Sequence, residues 1–262
     1  MFVLYLADYQ PQAYQIASSL GLEAFVLANN DRKALLAWAE KGELAILLDG
    51  QLSLQPLSKP LPNAVAVDWA NKSLLWRLQH GGGRGELIAK ACGIKKDFLP
   101  TIIDATAGFG KDSLLLASLG CSVTLLERSP LVAAMLADGW QRAQAEAYLL
   151  PILARMSIHE GDAKAHLLAL TAEQRPDVVY LDPMFPDRGS SAKVKKDMQA
   201  FHVVVGADDD ADALLAPALA VAKKRVVVKR PRHAEHLAGQ KPSLMYEGES
   251  SRFDVYLTQA GK

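Results

Sequence analysis

The stretch Asp104-Ala-Thr-Ala-Gly-Phe-Gly-Lys111 stands between a short apolar segment and an apolar pattern with helical spacing. An acid at the end of a strand, followed by a glycine turn and a helix, is typical of ligand-binding α/β folds. Gly108 and Gly110 permit a tight turn and let the backbone approach a ligand closely. We therefore predict that residues 101–119 form the strand, turn and helix that support a cofactor site.

Strand and helix patterns alternate along the chain beyond this turn. The predicted strands cover 101–104, 122–127, 156–159, 177–182, 225–229 and 252–257, and the predicted helices cover 111–119, 130–147, 163–169 and 214–222. Such alternation implies a mostly parallel sheet with helices on both faces and right-handed crossovers. We therefore predict a doubly wound, Rossmann-like α/β fold. Its ligands should bind at the carboxyl ends of the strands, just after Asp104, Glu127, Asp182 and Lys229.

The first 65 residues follow a different pattern. Strands are predicted at 2–6 and 45–48 and a helix at 34–40, before a stretch that holds three prolines at 56, 60 and 62. Prolines at such spacing are typical of a linker. We therefore predict a small N-terminal α/β subdomain at 1–65 and a second domain at 66–262. The second domain opens with helical patterns at 69–79 and 87–92, separated by a glycine-rich break at 81–85.

The overall composition excludes some classes of protein. The chain has 262 residues, with 29 Lys and Arg against 29 Asp and Glu, so its net charge is zero. A neutral chain does not coat nucleic acid nonspecifically, although a local basic patch can still bind it. Cys92 and Cys121 lie in apolar segments and are predicted to be buried free thiols, as in a reducing compartment. We expect a cytoplasmic protein with no membrane partner and no bound metal, because no signal peptide, spanning segment or metal motif is seen.

The acid after the second strand indicates the cofactor. Glu127 follows Gly110 by 17 residues and can accept hydrogen bonds from two ribose hydroxyls. Ser113 replaces the third glycine of a dinucleotide motif, which disfavours a pyrophosphate. S-adenosylmethionine has no phosphate, and its cationic groups favour acids such as Asp104, so we predict this cofactor. The alternative is that Gly108 and Gly110 only shape a strand-to-helix turn.

The segment after the third strand has two compatible interpretations. Gly161 and Asp162 stand where an adenine amino group would lie, and Asp162 could accept its hydrogen bond. Asp162 also precedes a predicted helix and could serve as its N-cap. Both interpretations are kept.

The fourth strand leads into Asp182-Pro-Met-Phe-Pro186. This segment resembles the D/N-P-P-F/Y/W motif of amino-directed nucleic-acid methyltransferases, with Met184 in place of the second proline. Asp182 and a carbonyl fixed by Pro183 can accept the two N–H bonds of an exocyclic amine and orient its nitrogen. Phe185 can stack on an unstacked base. The alternative is a plain strand end with a proline turn.

Seven motifs together resemble the bacterial ribosomal RNA small-subunit methyltransferase J family. They lie at 81–86, 104–112, 126–128, 180–186, 194–198, 226–231 and 252–256, within a resemblance that covers roughly residue 68 to the end. The resemblance implies an S-adenosylmethionine-dependent methyltransferase that modifies the N2 amine of a guanosine in 16S ribosomal RNA, as free RNA or in the 30S particle. It also implies cofactor contacts at Lys111, Asp112, Glu127, Arg128, Gly161, Asp162 and Asp182.

Basic residues near the predicted site are candidates for RNA binding. Arg84 lies in the glycine-rich break, and Lys193, Lys195 and Lys196 follow the amine-site motif. Lys229 and Arg230 end a central strand on the ligand side. Contact with RNA phosphates is predicted for all six. For 81–85 the alternatives are a loop that closes over the cofactor or a simple hinge, and for the other basic residues the alternative is a solvated charge run.

Three other functions remain to be distinguished. The same amine-holding residues would serve an adenine-N6 methyltransferase acting on DNA or RNA. A module that binds S-adenosylmethionine or RNA without turnover is a second alternative. A nicotinamide-dependent oxidoreductase is the least favoured.

Overall fold

The computed structural model describes residues 1–183 and 211–258, which form two sheets. The first sheet has the strand order β2-β1-β3-β4-β5. β1 is parallel to β2 and β3, and β4 is antiparallel to β3 and β5. Its elements are β1 Phe2–Leu6, α1 Gln10–Leu20, β2 Ala24–Leu27, α2 Arg32–Leu36, β3 Leu44–Leu48, β4 Leu52–Pro56 and β5 Val65–Ala66.

The second sheet has the strand order β11-β12-β10-β9-β6-β7-β8. Its strands are β6 Thr101–Asp104, β7 Ser122–Glu127, β8 Met156–Glu160, β9 Val178–Leu181, β10 Arg225–Pro231, β11 Leu244–Glu247 and β12 Ser251–Leu257. The associated helices are α3 Lys72–His80, α4 Leu87–Cys92, α5 Lys111–Ser118, α6 Pro130–Ala143, α7 Leu150–Leu153, α8 Ala163–Ala169 and α9 Asp212–Val221.

The order of the parallel strands determines where a ligand can bind. From β6 the chain adds β7 and β8 on one side, then returns to add β9 and β10 on the other side of β6. The strand order therefore reverses between β6 and β9, which is where ligands bind in open α/β sheets. β12 and β11 close the other edge in antiparallel pairs. The predicted doubly wound, Rossmann-like fold is confirmed.

Several element boundaries differ from the prediction. The helix predicted at 69–79 begins only at Lys72, because Asn71 caps it by accepting the Ser73 N–H. The helix predicted at 130–147 ends at Ala143. Four elements of the first sheet, α1, β2, β4 and β5, were not predicted, and neither were α7 and β11. Short edge strands such as β2 and β11 lack a strong alternating pattern and form because a neighbouring strand pairs with them.

The two sheets share one continuous apolar core. Buried residues of β1, β3 and β4 and of α4 to α6 belong to the same cluster. Helix α6 forms the contact: Asp138 Oδ2 accepts the Leu52 N–H at 3.1 Å, and Arg142 donates to the Val67 carbonyl. The first sheet ends at Ala66, one residue beyond the boundary predicted at 65. That the two parts are separate domains stays a prediction.

No helix among residues 1–183 and 211–258 combines the length and the apolar character that crossing a membrane requires.

Candidate active site

A cavity of about 410 Å³ opens at the carboxyl ends of β6, β7, β9 and β10. This volume lies within the ordinary range for small-ligand sites. Its lining contains every residue predicted to bind the cofactor except Gly161: Asp104, Gly108, Gly110, Lys111, Asp112, Glu127, Arg128, Asp162 and Asp182. The fold therefore brings the glycine turn and the predicted amine site together around one space.

The β6–α5 turn requires glycine at one position for steric reasons. Gly110 has φ +66°, and a Cβ there would lie 2.7 Å from the Trp69 ring. Trp69 is buried and donates from Nε1 to the Phe109 carbonyl at 2.9 Å, so it holds this turn from outside the cavity. Gly108 has φ +52°, and a Cβ there would meet only the Thr106 carbonyl at 4.0 Å. The backbone at Gly108 is thus open to a ligand.

Glu127 connects the tips of β6 and β7. Its Oε2 accepts the Gly108 N–H at 2.9 Å and its Oε1 accepts the Ser129 N–H at 2.8 Å. The residue is only 5% exposed. Two backbone donors fix the direction of this carboxylate at the cavity wall. The predicted contact with ribose hydroxyls fits this placement and stays a prediction.

Asp104 is buried at the end of β6. Its carboxylate accepts from Ser113 Oγ at 2.6 Å and from the Thr106 N–H at 3.1 Å. Burial raises the pKa of Asp104 to about 7, although these two hydrogen bonds oppose the rise. Because burial penalises the charged form, a cationic group placed beside Asp104 would favour its ionisation. This response suits the predicted sulfonium cofactor.

Asp182 and Asp112 are joined by a lysine. Lys229 Nζ lies 2.8 Å from Asp182 Oδ2 and 2.8 Å from Asp112 Oδ2. Tyr180 donates its hydroxyl to Asp112 Oδ2 at 2.7 Å. Burial lowers the pKa of Lys229, but the two carboxylates outweigh it, and the pKa ends well above its ordinary value. Burial, aided by the same carboxylates, raises the pKa of Tyr180, so the phenol stays a donor. We call Asp112, Tyr180, Asp182 and Lys229 the lysine bridge.

The backbone of the amine-site motif is anchored to the glycine turn. Asp182 donates its N–H to Thr106 Oγ1 at 2.6 Å, and Pro183 is buried directly after it. The carboxylate of Asp182 and the turn are therefore held in a fixed relation. Phe185 and Met184 lie outside the described residues, as do the predicted RNA contacts Lys193, Lys195 and Lys196.

Comparison with known proteins agrees with this geometry. Residues 29–258 match the family described as putative SAM-dependent methyltransferase. The ribosomal RNA small subunit methyltransferase J of Cellvibrio japonicus is 49% identical over 220 residues, covering 82% of this chain and 83% of the relative. That of Aeromonas hydrophila is 47% identical over 254 residues, covering 95% and 94%. The chain belongs to the ribosomal RNA small subunit methyltransferase J family.

A solved structure supports the methyltransferase assignment over the whole chain. The crystal structure of a SAM-dependent methyltransferase from Neisseria gonorrhoeae is 36% identical, with a TM-score of 0.73, and covers 100% of this chain and 98% of that one. The predicted family, the methyltransferase activity and the cofactor S-adenosylmethionine are thereby confirmed.

The cavity of this family member suits S-adenosylmethionine. The adenosine of the cofactor needs room against the backbone and an acceptor for its ribose hydroxyls, and the positively charged groups of the cofactor need an acid nearby. The open backbone at Gly108 and the oriented carboxylate of Glu127 provide the first, and Asp104 provides an acid at the cavity wall. When bound, the cofactor supplies a methyl group activated by a sulfonium.

Asp162 fulfils one of its two predicted roles. Its Oδ1 accepts the Ala165 N–H at 2.7 Å, so it is the N-cap of α8. Its exposed side chain also lines the cavity, so the adenine contact stays a prediction. Gly161 has φ +143° and donates to the Glu127 carbonyl at 2.9 Å. It therefore shapes the backbone beside the cavity without lining it.

The structure revises two of the predicted RNA contacts. Lys229 lines the cavity, where two carboxylates engage its ammonium, so its charge is directed to them and not to phosphates on the surface. Arg230 is 6% exposed, and its Nη2 donates to the Glu235 carbonyl. A buried guanidinium cannot reach a phosphate on the surface. Successive residues of a strand point to opposite faces, so one strand end could not present both side chains together.

Arg84 stays a prediction as an RNA contact. It is exposed in the 3-10 turn Gly83–Gly85 and does not line the cavity.

Three polar side chains that the sequence did not single out as site residues also line the cavity: Arg77, Thr106 and Tyr180. Thr106 lies within the glycine turn, so its position gave a usable signal. Arg77 comes from α3, and Tyr180 lies inside an apolar strand. Neither carries a local signal, because only the folded chain shows which way the side chain points.

Neither cysteine takes part in the site. Cys92 and Cys121 are buried free thiols, as predicted. Burial raises the pKa of both thiols, that of Cys121 to about 11. A thiol held protonated is a poor nucleophile. In the described part of the chain, no group of three or more His, Cys, Asp or Glu residues is placed to hold a metal ion.

Proposed function

We propose that this protein transfers a methyl group from S-adenosylmethionine to the N2 amine of one guanosine in 16S ribosomal RNA. The observation that carries the proposal is that Asp182 borders the same cavity as Gly108 and Glu127. A carboxylate that can hold an amine thus lies beside the predicted cofactor site. The small ribosomal subunit is the proposed partner, since the relatives are named ribosomal RNA small subunit methyltransferase J.

The proposed role of Asp182 is to position the amine. A guanine amine is conjugated with its ring, so its nitrogen is a weak nucleophile unless it is oriented. Asp182 accepts one of its N–H bonds, and the carbonyl direction fixed by Pro183 suits the other. Held in this way, the nitrogen would face the methyl group that bound S-adenosylmethionine would supply. Transfer would leave S-adenosylhomocysteine, and the methylated amine would release one proton to solvent water.

The proposed role of the lysine bridge is to fix that carboxylate. Lys229 engages Asp182 Oδ2 and is itself held by Asp112, which Tyr180 also engages. Each member restricts the rotamer of the next, so Asp182 loses little further freedom when an amine arrives. Lys229 is thus a positioning residue in this proposal.

A cytoplasmic setting is part of the proposal. Two buried free thiols are what a reducing compartment favours.

The test uses small ribosomal subunits from a bacterial strain that lacks the corresponding enzyme. The purified protein and S-adenosylmethionine should convert one guanosine per subunit to N2-methylguanosine, measured by mass spectrometry of the released nucleosides. Asp182→Ala should abolish transfer, whereas S-adenosylhomocysteine should still bind with at most roughly tenfold lower affinity, because Asp182 is only one of several predicted cofactor contacts. Lys229→Met should lower kcat roughly 10- to 100-fold, and Lys229→Arg should restore part of it.

Two results would contradict the proposal. N6-methyladenosine without N2-methylguanosine would instead show an adenine methyltransferase. Unchanged transfer by Asp182→Ala would remove the amine-holding role from that residue.

A further inference from the structure

Helix α3 carries an exposed tryptophan on the side opposite its packing face. Leu74, Leu75 and Leu78 are partly buried and pack against the core. Trp76 is 62% exposed. At 100° per residue, Trp76 points about 150° away from the middle of the leucine face. A single exposed apolar residue is ordinary on a protein surface. Trp76 differs because the residues beside it on the helix are a cation and a second aromatic ring.

Trp76 lies in a row with a cation and a second ring. Lys72, Trp76 and His80 are four residues apart on α3, so they share one side of the helix. The rings of Trp76 and His80 are stacked, with centroids 5.3 Å apart and planes at 22°. His80 Nδ1 lies 3.1 Å from the Trp76 carbonyl, which helps to hold the pair. We call Lys72, Trp76 and His80 the α3 platform.

The α3 platform lies beside the active-site cavity. Arg77, the residue after Trp76, lines that cavity. Its guanidinium is 2.7 Å from Glu86, which connects α3 to the segment before α4. A chain that leads into the cavity on this side would therefore pass over or next to the platform.

The surface around Trp76 suits a nucleic acid better than a protein. The other exposed residues of α3 are polar: Lys72, Ser73, Arg77, Gln79 and His80. The core of a protein interface needs a wider apolar area than one indole. A cation beside a flat aromatic face is the combination that binds a phosphate backbone and stacks its bases. Because the whole chain has no net charge, RNA affinity must come from such local surfaces.

We propose that the α3 platform binds the single-stranded RNA next to the nucleotide that is methylated, with one base stacked on Trp76 and a phosphate near Lys72. This inference rests on the proposed function. A base that enters the cavity must leave its stack, and its neighbour then loses a stacking partner. The indole of Trp76 replaces that partner and so holds the RNA open.

The test compares Trp76→Ala with Trp76→Phe on unmethylated small ribosomal subunits. Trp76→Ala should weaken subunit binding and raise KM for the subunit roughly 5- to 100-fold, with kcat and S-adenosylhomocysteine affinity nearly unchanged. Trp76→Phe keeps a flat ring and should retain most of the affinity. Tyr14→Ala, at an aromatic that is 51% exposed on α1, is the matched control and should behave like the wild type. Lys72→Ala should weaken binding and reduce its dependence on salt.

Three outcomes would contradict the proposal that the α3 platform binds RNA. One is wild-type binding and KM for Trp76→Ala. Another is an equal loss for Tyr14→Ala, which would show no preference for α3. The third is a parallel loss of S-adenosylhomocysteine affinity, which would place Trp76 in the cofactor site. Failure of the proposed function is separate, since the wild-type protein would then form no N2-methylguanosine.

Discussion

Lys229 has two carboxylate partners, Asp112 and Asp182, and this arrangement restricts the orientation of all three side chains. Its side chain is 29% exposed, and both ion pairs measure 2.8 Å. An isolated pair at that exposure would contribute little to stability. The two ion pairs of Lys229 matter for orientation instead, because one ammonium holds Asp182, which follows β9, in line with Asp112 at the start of α5. A residue that resembled a surface RNA contact in the sequence thus lies in the wall of the cavity.

Asp104 should make the stability of the protein depend on pH. Burial raises its pKa to about 7 in the folded state, against about 4 in an unfolded chain. The folded state therefore binds this proton more tightly. The resulting stabilisation is complete below about pH 4 and is lost as the pH rises through about 7. Between those values the free energy of unfolding should fall by about 1.4 kcal/mol per pH unit from this group.

The measurement is urea unfolding of the wild type and Asp104→Asn at pH 5, 6 and 7. The variant cannot ionise, so its stability relative to the wild type should improve as the pH rises. Asp31→Asn, at an exposed helix cap, controls for loss of a carboxylate. Parallel pH profiles for Asp104→Asn and the wild type would show that Asp104 stays ionised throughout.

The β6–α5 turn is the element on which the predicted cofactor site depends. Gly110 sits at the N-cap of α5 in a left-handed conformation and is packed against Trp69, Leu125 and Leu136. Gly83 has a similar φ of +53° but has open space where a Cβ would lie. An alanine at Gly83 would therefore be strained only by the left-handed backbone conformation, whereas an alanine at Gly110 would also meet a steric clash.

Gly110→Ala should destabilise the protein more than Gly83→Ala. The left-handed conformation costs a non-glycine residue about 1–2 kcal/mol, and overpacking against Trp69 should add about 1–3 kcal/mol at Gly110. Displacement of the turn should also weaken S-adenosylhomocysteine binding. Chemical unfolding and calorimetric titration measure the two effects. Equal destabilisation by both variants would show that the side chains around Trp69 shift to accommodate the added methyl group without lowering the free energy of unfolding.

At the scale of the whole molecule, the first sheet is fastened to the second through α6. Gly139 is in such close contact with Val67 that a Cβ would lie 2.4 Å from Val67 Cγ1. Asp138 adds a hydrogen bond to the backbone of β4 and an ion pair to Arg142. A shared apolar core of this kind couples the unfolding of its parts.

We expect the chain to unfold in one transition. Circular dichroism and tryptophan fluorescence should report the same urea midpoint. Asp138→Ala leaves the Leu52 N–H without this acceptor, so it should lower the single midpoint by an amount equivalent to about 1–3 kcal/mol. A separate early transition in the variant would show instead that residues 1–66 unfold independently, as the predicted domain boundary implies.

The sequence by itself determined the doubly wound sheet, the glycine turn and the acids at the strand ends. Those features are local: strand and helix periods, φ values that only glycine adopts easily, and the rule that parallel strands end at one edge. Asp104, Glu127 and Asp182 could be placed together for that reason. The family resemblance of residues 68 to the end added the predicted cofactor contacts at Lys111, Asp112 and Arg128, which all line the cavity.

Only the tertiary structure decided which side chains enter the cavity, which are buried and which face outward. Lys229 and Arg230 are adjacent and both basic, yet one enters the cavity and the other is buried beside Glu235. Arg77 reaches the cavity from α3, which precedes the strands that form the cavity. Its neighbour Trp76 on the same helix is exposed to solvent. The direction of a side chain depends on packing between distant segments, and no local pattern of residues encodes it.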